Sequence, residues 1–416
     1  MNVPVNVPSI NTGQVDGANR HSPSIDWLHT FPDGFDEMTT PAFVYDESIL
    51  HSLLDRANIL RSDGNCKLLF AIKSFSFTGA LEVMAPRLDG FAVSSLYEAR
   101  LARSVVSQGG SIHITTPGLR PDEVEEIGSL CDFVSFNSLN QWDMYQGQGR
   151  FSCGIRVNPQ LSFVDDERYD PCRPGSKLGV PLDGLVTEFR RDRARFAGLR
   201  GILFHTNCDS LDFGQLLATV EHLHANAEEV LSAVDWVNLG GGYLFDGEHS
   251  VVELSSAVDF LKSRYDVQVF FEPGAALVRP AGYIISTVLD VFQSGGSKVV
   301  VLDTSVNHMP EVFEYDFEPD VVGHDDGGAH EYLLAGCTCL AGDIFGDYKF
   351  DHKLQIGDKV VFNNAGAYTL TKAHMFNGVA LPSVYSLTTQ GELAPKSHST
   401  YDQFAERWGV GRHVSA

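Results

Sequence analysis

The sequence lacks the signatures of a metal-built or disulfide-built protein. Its seven cysteines, at positions 66, 131, 153, 172, 208, 337 and 339, are scattered, odd in number and without a C-x-x-C pair. That excludes a zinc framework and points to a reduced, cytoplasmic compartment. Histidines are no better placed for a metal: His222 and His224 fall at i, i+2 on a helical pattern and face apart, while His324 lies in an acidic stretch and His330 just after it. No metal is expected. Long apolar runs are also missing, so no segment is expected to span a bilayer, and Met1 to Pro23 has neither the basic start nor the apolar stretch of a signal peptide. Positive charge is scarce, with 30 Lys and Arg against 54 Asp and Glu, a formal net charge of −24. Nucleic acid and anionic membrane are therefore poor partners, whereas a cationic ligand such as a polyamine would be attracted. There is neither a G-x-G-x-x-G nor a P-loop, which removes support for a dinucleotide or a nucleoside triphosphate.

What is present is the rhythm of an α/β protein. At 416 residues the chain is too long for one ordinary core, so two domains are expected. Residues 1–38 lack periodicity, are rich in Asn, Ser, Pro and Gly, and read as a poorly ordered extension. Short apolar runs then alternate with helical patterns, at 68–72, 90–93, 112–115, 133–136, 153–157, 201–205, 236–239 and 267–271. In the clearest intervening segment Phe213, Leu216, Leu217, Val220, Leu223 and Ala227 recur at three and four residues, which places them on one helix face. Strands that are apolar throughout are buried on both sides, and eight successive strand–helix units favour closure into a (β/α)8 TIM barrel over residues 39–280. Beyond it, strand-like pieces at Tyr283–Phe292, Lys298–Leu302, Tyr332–Ala335 and Lys359–Phe362 predict a second, β-rich domain over 281–416, with the segment around 42–45 expected to join it.

Active sites of such barrels open at the C-terminal ends of the strands. There the runs end, in order, in Lys73; Ser94 and Ser95; Thr115 and Thr116; Asn137; Arg156 and Asn158; His205; Gly240-Gly241-Gly242; and Glu272. An amine desolvated by apolar neighbours loses its proton more easily, which is what a Schiff-base lysine needs, although a lysine after a strand can also be simply solvated. Glu272 leaves so apolar a strand that it must be paired or neutral; a protonated pyridine nitrogen would suit it, as would a salt bridge to Arg156 or Lys177. His205 could lie flat against an aromatic ring or be hydrogen-bonded in the core. The three glycines could approach an anion closely or merely form a turn. Later in the chain, Gly336-Cys337-Thr338-Cys339-Leu340-Ala341-Gly342-Asp343 sets a thiol that could serve as an acid near a carboxylate that could hold an amine, and Tyr368 follows another strand-like run.

Taken together, Ala71-Ile72-Lys73, Arg156-Val157-Asn158-Pro159, His205, the triple glycine, Glu272-Pro273-Gly274, Cys339 and Gly366-Ala367-Tyr368 resemble the fold type III, alanine-racemase-like pyridoxal-phosphate decarboxylases. The stretch Tyr169-Asp170-Pro171-Cys172-Arg173-Pro174-Gly175-Ser176-Lys177-Leu178-Gly179 and the Cys337–Asp343 segment are most similar to the carboxynorspermidine/carboxyspermidine decarboxylases among them. The resemblance implies pyridoxal 5'-phosphate as cofactor, bound covalently by Lys73, stacked by His205, paired with Glu272 and held at its phosphate by Gly240, Gly241, Gly242 and Tyr368. It implies a homodimer with shared active sites, in which Cys339 and Asp343 reach the partner's site and Cys339 returns a proton. Asp209, Asp343 and Arg156 become candidates for binding an amino-acid substrate with a distal amine.

Three positions depart from the family pattern. Asp209 stands where carboxynorspermidine decarboxylases are expected to carry glutamate, Ala275 where ornithine and diaminopimelate enzymes carry a phosphate-binding arginine, and Leu340 where those relatives carry an acid. Other substrates therefore stay open: diaminopimelate, lysine, ornithine, arginine or a specialised-metabolite intermediate. So do an amino-acid racemase, which would need bases on both faces of Cα, and a non-catalytic relative that regulates a partner in a mixed dimer.

Overall fold

The computed structural model describes residues 32–64, 66–245 and 249–411. Its first ten strands are β1 (Ala42–Asp46), β2 (Cys66–Ala71), β3 (Gly90–Val93), β4 (Ser111–Thr116), β5 (Phe133–Phe136), β6 (Ser152–Asn158), β7 (Val180–Pro181), β8 (Gly201–Leu203), β9 (Trp236–Asn238) and β10 (Gln268–Phe271). Eight of them pair in parallel around a ring, β2-β3-β4-β5-β6-β8-β9-β10, and β10 closes on β2 with Phe271 opposite Leu68. The short β7 only extends the side of β6. The predicted (β/α)8 barrel is the architecture that forms.

Period-two alternation explains why its strands are apolar throughout. One set of side chains, including Leu68 and Phe70, packs outward into the large core beneath the helices. The other set points into the barrel, where Leu69, Phe133, Trp236 and Phe270 form a separate cluster. The Phe133 ring lies 5.5 Å from Trp236 and 5.2 Å from Phe270, both edge-on. Burying one such ring contributes about 2 kcal/mol and, as important here, plugs the N-terminal half of the barrel. Two residues further along the same strands the lining turns polar or small, at Ala71, Ser135 and Glu272. The helix read from periodicity spans Gly214–Leu231 and buries Leu216, Val220, Leu223 and Ala227.

The second domain is a mixed sheet built from β1 and seven later strands: β11 (Gly282–Ser294), β12 (Ser297–Leu302), β13 (His330–Ala335), β14 (Ile344–Phe350), β15 (Lys359–Phe362), β16 (Ser383–Leu387) and β17 (Leu393–Ser397). The order is β14-β13-β12-β11-β1-β16-β17, with β15 also on β11. Strand β1 runs antiparallel to β11, with Phe43 opposite Ile284, and parallel to β16, so residues 42–46 and 383–387 meet in one sheet. Three of these strands carried no clear sequence signal. β14 is broken by Gly346-Asp347, β16 is short with a serine at its start, and β17 contains Pro395, which an edge strand tolerates.

Of the extension expected over residues 1–38, residues 1–31 lie outside the described part. Residues 33–37 differ from expectation by forming a turn, and Phe35 and Met38 are buried beside it. Lys359 holds it by donating from Nζ to the carbonyls of Phe35 and Asp36. Among the described residues no helix is long and apolar enough to cross a membrane.

Candidate active site

A cavity of about 830 Å³ opens at the C-terminal mouth of the barrel, and Lys73, Arg156, His205, Glu272 and Tyr368 all line it. Lys73 sits on a single 3₁₀ turn, Ile72–Ser74, that ends β2. The turn is closed by Phe75 N donating to Ile72 O at 3.0 Å, and by Ser74 Oγ donating to Ala71 O at 2.8 Å. Tyr368 N in turn donates to Ser74 O at 2.9 Å, which brings the β-domain to the same rim. The Lys73 side chain is open to the cavity, yet protein surrounds the cavity, so water around the amine is limited. Desolvation lowers its pKa below the ordinary lysine value; Glu272 opposes the shift and Arg156 reinforces it.

Glu272 follows the last barrel strand and faces the same space. Its Oε2 accepts from Asn238 Nδ2 at 3.0 Å, and desolvation raises its pKa against that bond and the charges of Lys73 and Arg156. No ion pair within 4 Å reaches it among the described residues, so the salt bridges to Arg156 or Lys177 that the sequence left open do not form. Arg156 itself is desolvated, which lowers its pKa, and Glu272 is its main electrostatic support. His205 receives a hydrogen bond at Nδ1 from Gly241 N, at 3.1 Å. An accepting Nδ1 leaves the proton of the neutral ring on Nε2. Desolvation, with Lys73 and Arg156 nearby, pushes its pKa well below 6.5 and keeps it neutral.

The triple glycine abuts both of these residues. Gly240 and Gly242 adopt left-handed φ of +70° and +91°, and an added Cβ would lie 2.3 Å from Phe204 O at Gly240, 2.4 Å from Glu272 O at Gly241 and 2.0 Å from Asn207 O at Gly242. Only glycine fits there, because backbone rather than side chain stands in the way.

About a third of the cavity wall comes from a stretch that the sequence marked by its resemblance but did not place at the barrel mouth. The segment between β6 and β7 crosses the mouth and contributes Arg168 through Pro171 together with Arg173 and Gly175 through Leu178. Asn137 clamps it, donating from Nδ2 to Lys177 O at 2.8 Å and accepting from Gly179 N at 2.9 Å. At its other end Tyr169 meets Tyr315 of the β-domain with ring centroids 4.4 Å apart, and Arg168 lies 5.5 Å over the same Tyr315 ring. His113 also lines the cavity, buried, stacked 4.1 Å from Phe133, and held neutral by desolvation that pulls its pKa down to about 3. Its signal was the alternation that places it two residues before Thr115 on the inner face.

Three expected site residues lie elsewhere. Asp209, with left-handed φ of +54°, stands outside the cavity lining beside Cys208, and its carboxylate is paired with Arg279 at 2.5 Å. Cys339 is exposed, with its N–H donated to Asn377 Oδ1 at 2.9 Å, and does not line this chain's own cavity. Asp343 is 3% exposed and both oxygens are occupied: Oδ1 accepts from Val306 N at 2.8 Å, and Oδ2 from Ser305 Oγ at 2.9 Å and Thr338 N at 3.0 Å. It therefore braces the turn that carries Cys339 instead of offering a free acid to a substrate amine.

The lining fits pyridoxal 5'-phosphate. A desolvated amine can bond to its aldehyde, and a desolvated carboxylate without an ion pair can hold a protonated ring nitrogen. Comparison with known proteins agrees. Residues 42–366 match the family described as pyridoxal-dependent decarboxylase, C-terminal sheet domain. A carboxyaminopropylagmatine decarboxylase of Synechocystis sp. is 32% identical, over 89% of this chain and 96% of its own length. A carboxynorspermidine/carboxyspermidine decarboxylase of Herminiimonas arsenicoxydans is 31% identical, over 88% of this chain and 98% of its own. The crystal structure of carboxynorspermidine decarboxylase from Campylobacter jejuni, complexed with norspermidine, is similar at a TM-score of 0.81 and 29% identity, covering 89% of this chain and 100% of that one.

Proposed function

We propose, from the premise that this chain belongs to the pyridoxal-dependent decarboxylases, that it removes carbon dioxide from an α-amino acid carrying a distal cationic group, of the carboxynorspermidine or carboxyspermidine type, in polyamine biosynthesis. One observation above the others supports the reaction: a desolvated amine, a desolvated carboxylate and a neutral imidazole line one cavity beside a turn that only glycine can make. Full-length likeness to enzymes named for carboxylated polyamines supports the substrate class.

Bound pyridoxal phosphate supplies the electron sink that lets the carboxylate leave Cα. Lys73 would hold it covalently, and its lowered pKa favours the unprotonated Nζ that bonding to an aldehyde requires. Glu272 would keep the ring nitrogen protonated, because an ion pair there relieves the burial cost of its own charge. His205, neutral and pinned at Nδ1, would lie against the ring; Gly240, Gly241, Gly242 and Tyr368 would hold the phosphate. Arg156 would orient the substrate from the cavity wall. Asp209, freed from Arg279, would meet the distal cation with Glu311, whose carboxylate is desolvated and electrostatically coupled to both. We further infer a homodimer, since Cys339 is exposed and lies outside the lining of its own cavity and would return a proton to Cα in the partner's. Seven free cysteines support a reduced, cytoplasmic setting.

The test is carbon dioxide release by purified protein from carboxynorspermidine, carboxyspermidine, carboxyaminopropylagmatine, diaminopimelate, lysine, ornithine and arginine. A carboxylated polyamine should react fastest; turnover of only the simple amino acids would end the polyamine assignment, and racemisation without gas release would end the decarboxylase one. Lys73→Ala should abolish the long-wavelength absorbance of lysine-bound cofactor and lower kcat by on the order of 10⁴-fold or more.

A further inference from the structure

Two cations on the cavity wall have no part in the chemistry described so far. Arg173 and Lys177 line the cavity, and among the described residues neither side chain makes an ion pair or hydrogen bond. Their neighbours are committed elsewhere. Arg168 pairs with Asp166 at 2.7 Å, and the nearby acid Asp170, 8% exposed, is spent on Ser162 Oγ at 2.6 Å and Cys172 N at 2.8 Å. The backbone carrying the two cations is fixed by the Asn137 clamp, by Ser176 Oγ donating to Pro171 O at 2.7 Å, and by Ser176 N donating to Arg173 O at 3.1 Å. A rigid arm thus holds at the mouth of the site two positive charges that no acid among the described residues of the same protomer pairs with, on a chain whose net charge is −24.

Substrate and product of a decarboxylation differ by one carboxylate. Losing it leaves an amine one positive charge richer, so a fixed cationic arm can pair with the carboxylate of the substrate and disfavours the product relative to it. We propose, on the premise of the decarboxylase reading above, that Arg173 and Lys177 bind the carboxylate of the entering amino acid and select against the amine that remains, which favours its release. They are specificity residues rather than catalytic ones, because a contact that holds bound substrate and transition state alike moves KM and leaves kcat largely untouched.

The experiment uses holoenzyme with carboxynorspermidine as substrate and norspermidine as competing product. R173Q/K177Q should raise KM about tenfold, the worth of a hydrogen bond to a charged group. It should also leave the product inhibition constant unchanged or lower, so the ratio of that constant to KM falls by at least the same factor. R173K and K177R, which keep the charge, should hold the wild-type ratio. Equal shifts of KM and the inhibition constant, or a weakened hold on pyridoxal phosphate with KM unchanged, would overturn the proposal. If the wild type releases no carbon dioxide from carboxynorspermidine, the substrate assignment fails on that readout alone. The ratio is then measured for the amino acid that does react and its own amine.

Discussion

The outside of this protein and the mouth of its barrel carry opposite charge. The chain as a whole has 24 more acidic than basic residues, while among the described residues the cavity is walled by five lysines and arginines and two acids. The difference teaches that net charge describes the solvated surface and not the site. Outside, charges are hydrated and screened, so their number matters for solubility and little for chemistry. Inside, desolvation shifts Lys73, Arg156, His205 and Glu272. A polyamine would be drawn to the exterior, whereas the proposed function gives the cations of the cavity the anionic parts of cofactor and substrate to bind.

That contrast can be broken at four points of decreasing effect. Glu272→Gln keeps the shape of the cavity and removes a desolvated carboxylate; kcat should fall about 10²- to 10³-fold, read by gas release, with the fold unchanged by circular dichroism. A loss of less than tenfold would mean that the charge at 272 does not act on the ring nitrogen. Gly242→Ala forces a Cβ to within 2.0 Å of Asn207 O at a left-handed φ of +91°. It should cost about 1–3 kcal/mol of stability and raise the pyridoxal phosphate dissociation constant.

The third point is acid. His113 is held neutral when folded, with a pKa of about 3 against about 6.5 in the unfolded chain, so the unfolded state binds the extra proton in between. Its contribution to stability is full above pH 6.5 and is lost as the pH falls toward 3, by up to about 1.4 kcal/mol per pH unit. His308, lowered to about 4 by burial, acts with the same sign. Urea midpoints measured down this range should show the slope, and His113→Asn should flatten it. Last and smallest, Arg100→Ala breaks a two-bond surface pair with Glu126, at 2.7 and 2.8 Å, and should leave the unfolding midpoint and activity where they were. A measurable loss there would erase the distinction between outside and inside charges.

The barrel was legible because its strands are buried on both faces, which leaves continuous apolar runs such as Leu68–Ile72, and because each run ends where the cavity begins. The β-domain was less legible. Its strands β14, β16 and β17 depend on partners far along the chain, and Gly346 or Pro395 inside them reads locally as a break. At the site, Lys73, His205 and Glu272 could be picked out by position. The wall formed by residues 168–178 was marked by resemblance but not by position, since its place over the mouth is set by Asn137 and Tyr315, 40 and 146 residues from the atoms they hold. Asp343 was read for its charge, and only its burial beneath Ser305, Val306 and Thr338 assigns it to bracing a turn.

By itself the sequence determined the periodicity of the chain, and with it the number of barrel strands and which polar residues stand at their C-terminal ends, because burial on two faces is written locally into each run. Tertiary structure alone decided which carboxylates stay free and which are consumed, which cations remain unpaired, and that β1 belongs with the strands at the far end of the chain. Those are properties of contacts between distant segments, and a charge acquires its function only from the company that folding gives it.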